Sequence, residues 1–412
     1  MSLEKNVPEI RFKEFSGEWM EHNLGELIDI RSAARVHKEQ WTETGVPFFR
    51  TSDVVSIYKG QENAKAFISY DVYKELTGKI GKVSSGDLLV TGGGSIGIPF
   101  LVPNDEPLYF KDADLLWFKN DQKFDGYYLY TFLFSKAFKK YIKSISHIGT
   151  IAHYTIEQAK ATPIKKCERA EQTAIGNTFQ KLDSLINQHQ QKHDKLSSIK
   201  KAMLDKMFPK QGENIPEIRF KGFSGEWEEK ELGELAEIVR GASPRPIDDP
   251  KWFDKSSTVG WLRIRDVTEQ DGRIYVLEQR ISKLGQEKTR VLFEPHLLLS
   301  IAASVGKPVI NYVETGVHDG FLIFKKPLFE LEFMYQWLKS FQEAWQQYGQ
   351  PGSQVNLNSD IVKGQVVCIP SNAEQVAIGN YFQKLDALIN QHQQQIIKLN
   401  NIKQACLSKM FV

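Results

Sequence analysis

The chain has 412 residues, 41% of them hydrophobic and 25% charged, with a net charge of +2. This composition suits a soluble globular protein of two or three domains and excludes a disordered chain; the charge is too mild for histone-like or ribosomal basicity, so any nucleic-acid surface must be local. Cys167, Cys368 and Cys406 lie far apart with no CxxC pair, which argues against a disulfide framework or a zinc ribbon, and with no apolar leader and no run near the roughly 18 apolar residues of a membrane span, a soluble cytoplasmic protein is expected.

In chain order, PEIRFKEFSGEW (Pro8 to Trp19) returns as PEIRFKGFSGEW (Pro216 to Trp227), each followed by LGEL at 24–27 and 232–235. Each half therefore opens with an extended element and a short helix or strand, and the chain contains an internal duplication. Between the repeated ends the halves diverge over a thin common pattern. VPFFRTSDV (46–54) matches VGWLRIRDV (259–267), both apolar and β-prone and closing on Arg, Asp and Val. DLLVTGGGSIGIPFLV (87–102) matches HLLLSIAASVGKPVIN (296–311), which predicts a buried strand, a small-residue turn and another strand. YLYTFLFSKAFKKYI (128–142) and FMYQWLKSFQEAWQQY (333–348) predict amphipathic helices with aromatic faces. Short strands near 161–165 and 364–369 complete each half.

A second repeat frames the chain. AEQTAIGNTFQKLDSLINQHQQ (170–191) recurs as AEQVAIGNYFQKLDALINQHQQ (373–394). Ile175, Phe179, Leu182 and Ile186, and Ile378, Phe382, Leu385 and Ile389, alternate steps of four and three, the seam of paired helices. His189, His193, Leu196, Ile199 and Met203 continue the first seam, and His392, Ile396, Leu399, Ile402 and Cys406 the second. Each helix should span about 39 residues, near 58 Å. A repeat of this kind predicts an antiparallel pair, with His189 and His392 meeting near a pseudo-two-fold axis as a polar layer that fixes register. Pro209 and Gly212 in MFPKQGEN end the first helix. The Lys and Arg excess of its segment, ten against five acids over 165–210, is explained by a solvated face or by nearby phosphates.

The AEQ...IG..F.KLD.LI helix recurring at the end, the EIRF.GF.GEW opening of each half and the divergent middles resemble the specificity subunits of type I restriction-modification systems, over the whole chain. The resemblance implies an α+β fold with two mixed α/β target-recognition domains related by a pseudo-two-fold repeat and separated by two long antiparallel coiled-coil helices. The corresponding divisions are 1–165 (first recognition domain), 166–208 (central helix), 209–220 (connector), 221–370 (second recognition domain) and 371–412 (C-terminal helix). It further implies a non-catalytic DNA-reading subunit, each domain reading half of a split target. Two modification (M) methyltransferase subunits would dock on it to methylate adenine, and restriction (R) subunits would join as the nuclease. S-adenosylmethionine, ATP and Mg are then expected on those partners and no cofactor on this chain. Helices of this length could act as a ruler along DNA, which repeats about every 34 Å.

Candidate DNA contacts follow from residue chemistry. RGASPRP offers Arg240, Ser243 and Arg245 on a loop stiffened by proline, and RSAARVHK offers Arg31, Arg35 and Lys38 in the equivalent place; arginine suits bidentate guanine or phosphate contacts. The TGGGSIG turn, with Gly93 and Ser95, and its counterpart, with Ser304 and Lys307, read as tight structural turns, as turns touching DNA, or as a nucleotide loop; no Lys-Ser/Thr follows, so TGGGSIG is not a P-loop. Arg50 with Asp53, and Arg263 with Asp266, fit an internal ion pair as well as a reader. Arg265, aligned with Ser52, is the better specificity candidate. His147, Thr150 and Tyr154, and Gln354 and Asn356, lie on loops after a helix and offer groups suited to base edges or phosphate.

No NPPY-like or DPPY-like tetrapeptide, FxGxG loop or GxxxxGKS/T is present, and the DxK triplets at Asp121 and Asp249 are too common to mark a nuclease. No metal site is expected. The competing readings are a free-standing two-headed DNA-binding regulator, which would bind its site alone, and a small-molecule enzyme built on TGGGSIG. Only the scaffold explains why the ends repeat while the middles vary.

Overall fold

The computed structural model describes residues 6–145, 153–302, 305–348 and 357–412. The chain divides into two compact units, Met1–Gln190 with Gln394–Val412, and Gln191–Gln393. Each holds a mixed α/β domain, the start of one long helix and the end of the other.

In the first unit, strand Met20–Asn23 pairs antiparallel with Pro163–Lys166, so the entry and exit of the domain lie side by side. The helix Leu24–Leu27 then leads into a four-stranded antiparallel sheet in the order Asp29–Arg31, Leu115–Lys119, Leu88–Thr91, Pro99–Leu101. Its central strands read as unbroken apolar runs because both faces are covered. Leu88, Val90, Leu116 and Phe118 face a core with Trp19, Leu24, Tyr128, Phe132, Ile175 and Phe179. Leu89, Leu115 and Trp117 alternate to the opposite face, against Val54, Val102 and Phe110. A smaller sheet of Trp41–Thr42, Phe67–Ile68, Val46–Phe49 and Tyr109–Phe110 completes the domain.

The second unit repeats the plan. Strand Glu228–Glu231 pairs with Val366–Ile369, and a five-stranded sheet runs Glu237–Arg240, Phe321–Lys325, Leu297–Ser300, Pro308–Asn311, Arg273–Ile274. Leu297, Leu299, Leu322 and Phe324 face Trp227, Phe333, Ile378 and Phe382, while Leu298, Phe321 and Ile323 face Val267, Leu292 and Val317. A three-stranded sheet, Gly260–Leu262, Thr315–Val317 and Arg290–Leu292, lies beyond.

The expected strand, turn and strand of 87–102 and 296–311 are present. Two local expectations change, each in both domains. VPFFRTSDV is strand only to Phe49, and a helix, Thr51–Lys59, begins two residues later because Asp53 turns back to cap it, accepting from the Arg50 amide at 2.8 Å. The single helix expected over 128–142 is two, Gly126–Phe132 and Lys136–Ile145, broken where the Ser135 hydroxyl accepts from the Phe138 amide at 3.2 Å. In the second domain strand Gly260–Leu262 gives way to helix Ile264–Glu269, and 333–348 divides between helix Leu331–Ser340 and a 3-10 helix, Gln342–Tyr348.

The long helices are Arg169–Lys206 and Asn372–Lys409, 38 residues each. Within the first unit Lys403 pairs with Asp183 and Phe411 meets Phe179 with ring centroids 6.1 Å apart, so the two segments run antiparallel. Within the second, Lys200 pairs with Asp386 and Phe208 stacks on Phe382 at 6.2 Å, again antiparallel. Ile175, Phe179, Ile378, Phe382 and Leu385 are buried, and Leu182, Ile186, His189, Ile389 and His392 are half-buried. Ile402 departs from its expected place: it is exposed, and Leu407 is buried instead. The last turn follows the 3.6-residue period of a straight helix, which drifts off a 3.5-residue seam.

The repeated letters of these helices dock the domains. Gln172 accepts from the Asp125 amide at 3.1 Å and donates to the Cys167 carbonyl at 2.9 Å; Gln375 does the same with Glu330 and Pro370, both at 2.9 Å. Asp125 and Glu330 are the N-caps of the domain helices Gly126–Phe132 and Leu331–Ser340. Gly176 and Gly379 make room for these carboxylates, since a Cβ at either would overlap Asp125 or Glu330.

Candidate nucleic-acid interface

In the second domain, the loop after strand Glu237–Arg240 is fixed before any ligand arrives. Gly241 donates to the Phe321 carbonyl at 2.8 Å and Ala242 to Val317 at 3.0 Å. A side chain at Gly241 would overlap the His318 carbonyl, so the sharp departure from the strand requires glycine. Asp319, in the turn before strand Phe321–Lys325, organises the polar groups of the loop. Its carboxylate accepts from the Ser243 hydroxyl at 2.8 Å and from Arg245 Nη2 at 2.6 Å, and its carbonyl accepts from Arg240 Nε at 2.6 Å. Burial alone would raise the Asp319 carboxyl, but Ser243, Arg245 and Arg240 outweigh it and hold it below the usual carboxylate range. Arg245 remains 70% exposed along its side chain. Two guanidiniums are thus presented on a braced loop, at small entropic cost for a contact.

The first domain braces the equivalent loop differently. The Ala113 amide, in the matching turn before strand Leu115–Lys119, donates to the Ser32 hydroxyl at 3.0 Å. Arg31 lies over the Trp117 ring at 5.6 Å, donates to the Ile80 carbonyl at 3.0 Å and pairs with Asp29, so its guanidinium is engaged internally. Arg35 and Lys38 are exposed.

Ser52 is exposed and accepts from Asn63 at 3.1 Å, while Arg265 is exposed and paired with Glu269 at 2.6 Å. Ser95 sits at the exposed tip of its turn, beside Gly94. Gly93, expected to face DNA, is buried, bridged to His153 and packed near Asp114. Tyr154 is likewise a correction: it is 1% exposed, its hydroxyl lies 2.6 Å from Thr162, and its ring packs on Phe138. A hydroxyl and ring so enclosed act as core. Lys307 is half-buried, 3.7 Å from Asp271. His147, Thr150, Ser304, Gln354 and Asn356 lie outside the described residues.

The open choice at Arg50 and Arg263 resolves toward ion pairs. Arg50 Nε reaches Asp53 at 2.8 Å and Arg263 Nη2 reaches Asp266 at 2.6 Å, each pair closing the start of a helix. The TGGGSIG turn closes on itself, with the Gly97 amide donating to the Thr91 carbonyl at 2.7 Å and the Ile98 amide to the Thr91 hydroxyl at 2.9 Å. Sequence reasoning missed Asp319. Its partners lie 74 and 76 residues away, and a lone acid in VHDG carries no local signal.

Among the described residues no group of three or more His, Cys, Asp or Glu could hold a metal, and no helix is long and apolar enough to cross a membrane.

Fold and loops together define a duplicated protein in which a shared frame carries two domains with differently equipped loops. Residues 16–198 and 224–401 match the type I restriction modification DNA specificity domain, and the chain belongs to that family. Its fold is similar to a type I restriction-modification S subunit from M. genitalium, with a TM-score of 0.58 and 17% identity over 98% of this chain and 99% of that one. It is also similar to a chain from a study of complex assembly and conformational transition in the type I R-M system, with a TM-score of 0.52 and 16% identity over 94% and 96%.

Proposed function

We propose that this chain is the specificity subunit of a type I restriction-modification complex. Each domain reads one half of an asymmetric bipartite DNA target, and the long helices set the spacer and leave their outer faces to two methyltransferase subunits, with restriction subunits joining them. The chain directs adenine methylation and cleavage without performing either; S-adenosylmethionine, ATP and Mg act on the partners.

One observation carries this reading. The docking residues repeat, as in Gln172 and Gln375 or Asp183 and Asp386, while the loops at equivalent places differ, Asp319 bracing two arginines in one domain and Ser32 taking the Ala113 amide in the other. A frame kept constant around unlike polar surfaces suits a reader of two unlike half-sites. Single-molecule sequencing of methylated adenines in the host genome tests it: an asymmetric bipartite motif with one modified adenine on each strand is expected, and a continuous palindrome would count strongly against it. Co-purification separates this from a free-standing regulator, which would bind its site tightly with no methyltransferase attached.

A further inference from the structure

Helix Lys136–Ile145, KAFKKYIKSI, is divided lengthwise between two chemistries. Lys136, Lys139, Lys140 and Lys143 follow one another by three, one and three residues, and all four are exposed. That spacing sets them on one face of a helix. Phe138, Tyr141, Ile142 and Ile145 keep the same spacing on the other face and pack into the domain core. The face is unusually free of compensating charge: between Asp125 and Glu157 the sequence contains no acidic residue, and among the described residues no carboxylate pairs with these lysines.

The helix is also placed beside the candidate interface. A Cβ at Gly97, the last residue of the TGGGSIG turn, would stand 3.0 Å from the Phe138 ring and 3.7 Å from Ile142, so the apolar face lies directly on that turn. The exposed residues Gly94 and Ser95 lie three and two positions before Gly97 in the same turn. In the second domain the packing recurs without the charge. Trp345 packs on Gly306, the equivalent glycine, but its segment Gln342–Tyr348, QEAWQQY, contains Glu343 and no lysine or arginine. The aromatic-on-glycine packing belongs to the shared frame. The lysine stripe belongs to the first domain alone.

We infer that Lys136, Lys139, Lys140 and Lys143 form a phosphate-backbone grip for double-stranded DNA, anchoring the first domain electrostatically while leaving base reading to its loops. The inference rests on the specificity-subunit reading. Seven residues of helix rise about 10 Å, which spans about three nucleotides of one strand at 3.4 Å each, so one stripe can follow one strand. The stripe's lysines are point charges on flexible stems, suited to phosphate and indifferent to sequence. The two domains would then hold DNA unequally, the first with a lysine stripe and the second with braced arginines.

The test is the salt dependence of DNA binding by the full chain together with the methyltransferase subunits that co-purify with it. Two duplexes are used, one carrying the motif read from the methylated genome and one of mixed sequence. For the Lys139→Ala, Lys140→Ala, Lys143→Ala variant, the slope of log affinity against log salt should become shallower by about two to three, at roughly 0.9 for each phosphate that is no longer neutralised. Affinity for both duplexes should fall by the same factor. The corresponding triple arginine variant should keep the wild-type slope. An unchanged slope in the alanine variant, or a weakening confined to the motif-bearing duplex, overturns the grip while leaving the specificity reading intact. A wild-type complex that binds neither duplex overturns both.

Discussion

Arg219 grips Glu374 with two parallel bonds of 2.6 Å, one from Nε and one from Nη2, and thereby ties the EIRF arm to the first turn of the second long helix. Arg11 and Glu171 repeat the arrangement at 2.7 Å in the first unit, where the Trp19 indole adds a third bond to the same carboxylate at 3.2 Å. Both glutamate side chains are 1% exposed. The arm also closes a helix end, since the Ile218 amide donates to the Lys206 carbonyl and Ile10 to Lys409, satisfying acceptors that a helix terminus leaves open. The two repeated segments of the sequence are thus two sides of one contact.

Arg219→Ala should therefore cost far more than a surface ion pair. It leaves the Glu374 carboxylate buried without its partner, for which about 3 kcal/mol is the expected loss. Urea unfolding of the full chain should show the transition of the second unit shifted and that of the first nearly unmoved, with Arg11→Ala giving the converse. A change below about 1 kcal/mol would mean that solvent reaches Glu374.

Gly176→Ala should destabilise despite alanine's advantage of about 1 kcal/mol in a helix interior. The new methyl would overlap the carboxylate of Asp125, which caps helix Gly126–Phe132 by accepting from the Tyr128 amide at 3.0 Å. Displacing that cap costs about 1 kcal/mol, which cancels the alanine advantage, and overpacking the contact costs about 1 to 2 kcal/mol more. A net loss of about 1 to 2 kcal/mol is expected in thermal unfolding. A gain would show that the domain helix can retreat from the long one.

These contacts explain what was legible in the sequence. Where one residue type answers to a periodic or local rule, reading succeeded: the seam at Ile175 and Phe179 follows helical spacing, and the strands around TGGGSIG follow apolar runs ended by glycine. Reading failed where the partner is remote. Asp319 is defined by Ser243 and Arg245, and Tyr154 by Thr162 and Phe138. A tyrosine in a loop offers a polar tip that reads as exposed until its cavity is seen. Thr51 failed for another reason: the β-prone run before it gave no sign that Asp53 would cap a helix. At Ile402 the expected heptad runs one turn beyond the point where the helix keeps it.

Acid should loosen the second unit through Asp386. Its carboxylate pairs with Lys200, accepts from Arg273 at 2.9 Å and from Gln336 at 3.0 Å. Burial would raise this group, but Lys200 and Arg273 prevail and hold it below the usual carboxylate range. For an acid with a lowered folded value, the stabilisation is complete above the unfolded value of about 4 and is lost as pH falls through the lower folded value. Asp386→Asn should accordingly cost about 2 to 4 kcal/mol at pH 7, where it leaves two buried cations undercompensated. The difference from wild type should shrink in urea titrations near pH 3. A gap that stays constant from pH 7 to pH 3 would refute the assignment of stability to the ionised form.

Asp319→Asn should separate affinity from specificity. The amide retains an acceptor for Ser243 but no longer carries charge to hold Arg245, and the loop gains one net positive charge. If the braced geometry places the guanidiniums on bases, affinity for the target duplex should fall about 5- to 30-fold, the range of one good base contact at about 1 to 2 kcal/mol. Binding to mixed-sequence DNA should strengthen, because the released arginine can follow phosphates, and its salt slope should steepen by about one. Loss of folding alone would lower both affinities together and leave the slope unchanged. Arg245→Ala supplies the control, since it should weaken the target duplex and leave the mixed-sequence salt slope near that of the wild type. Opposite movement of the two affinities in Asp319→Asn identifies a positioning carboxylate; equal movement reduces Asp319 to a structural brace.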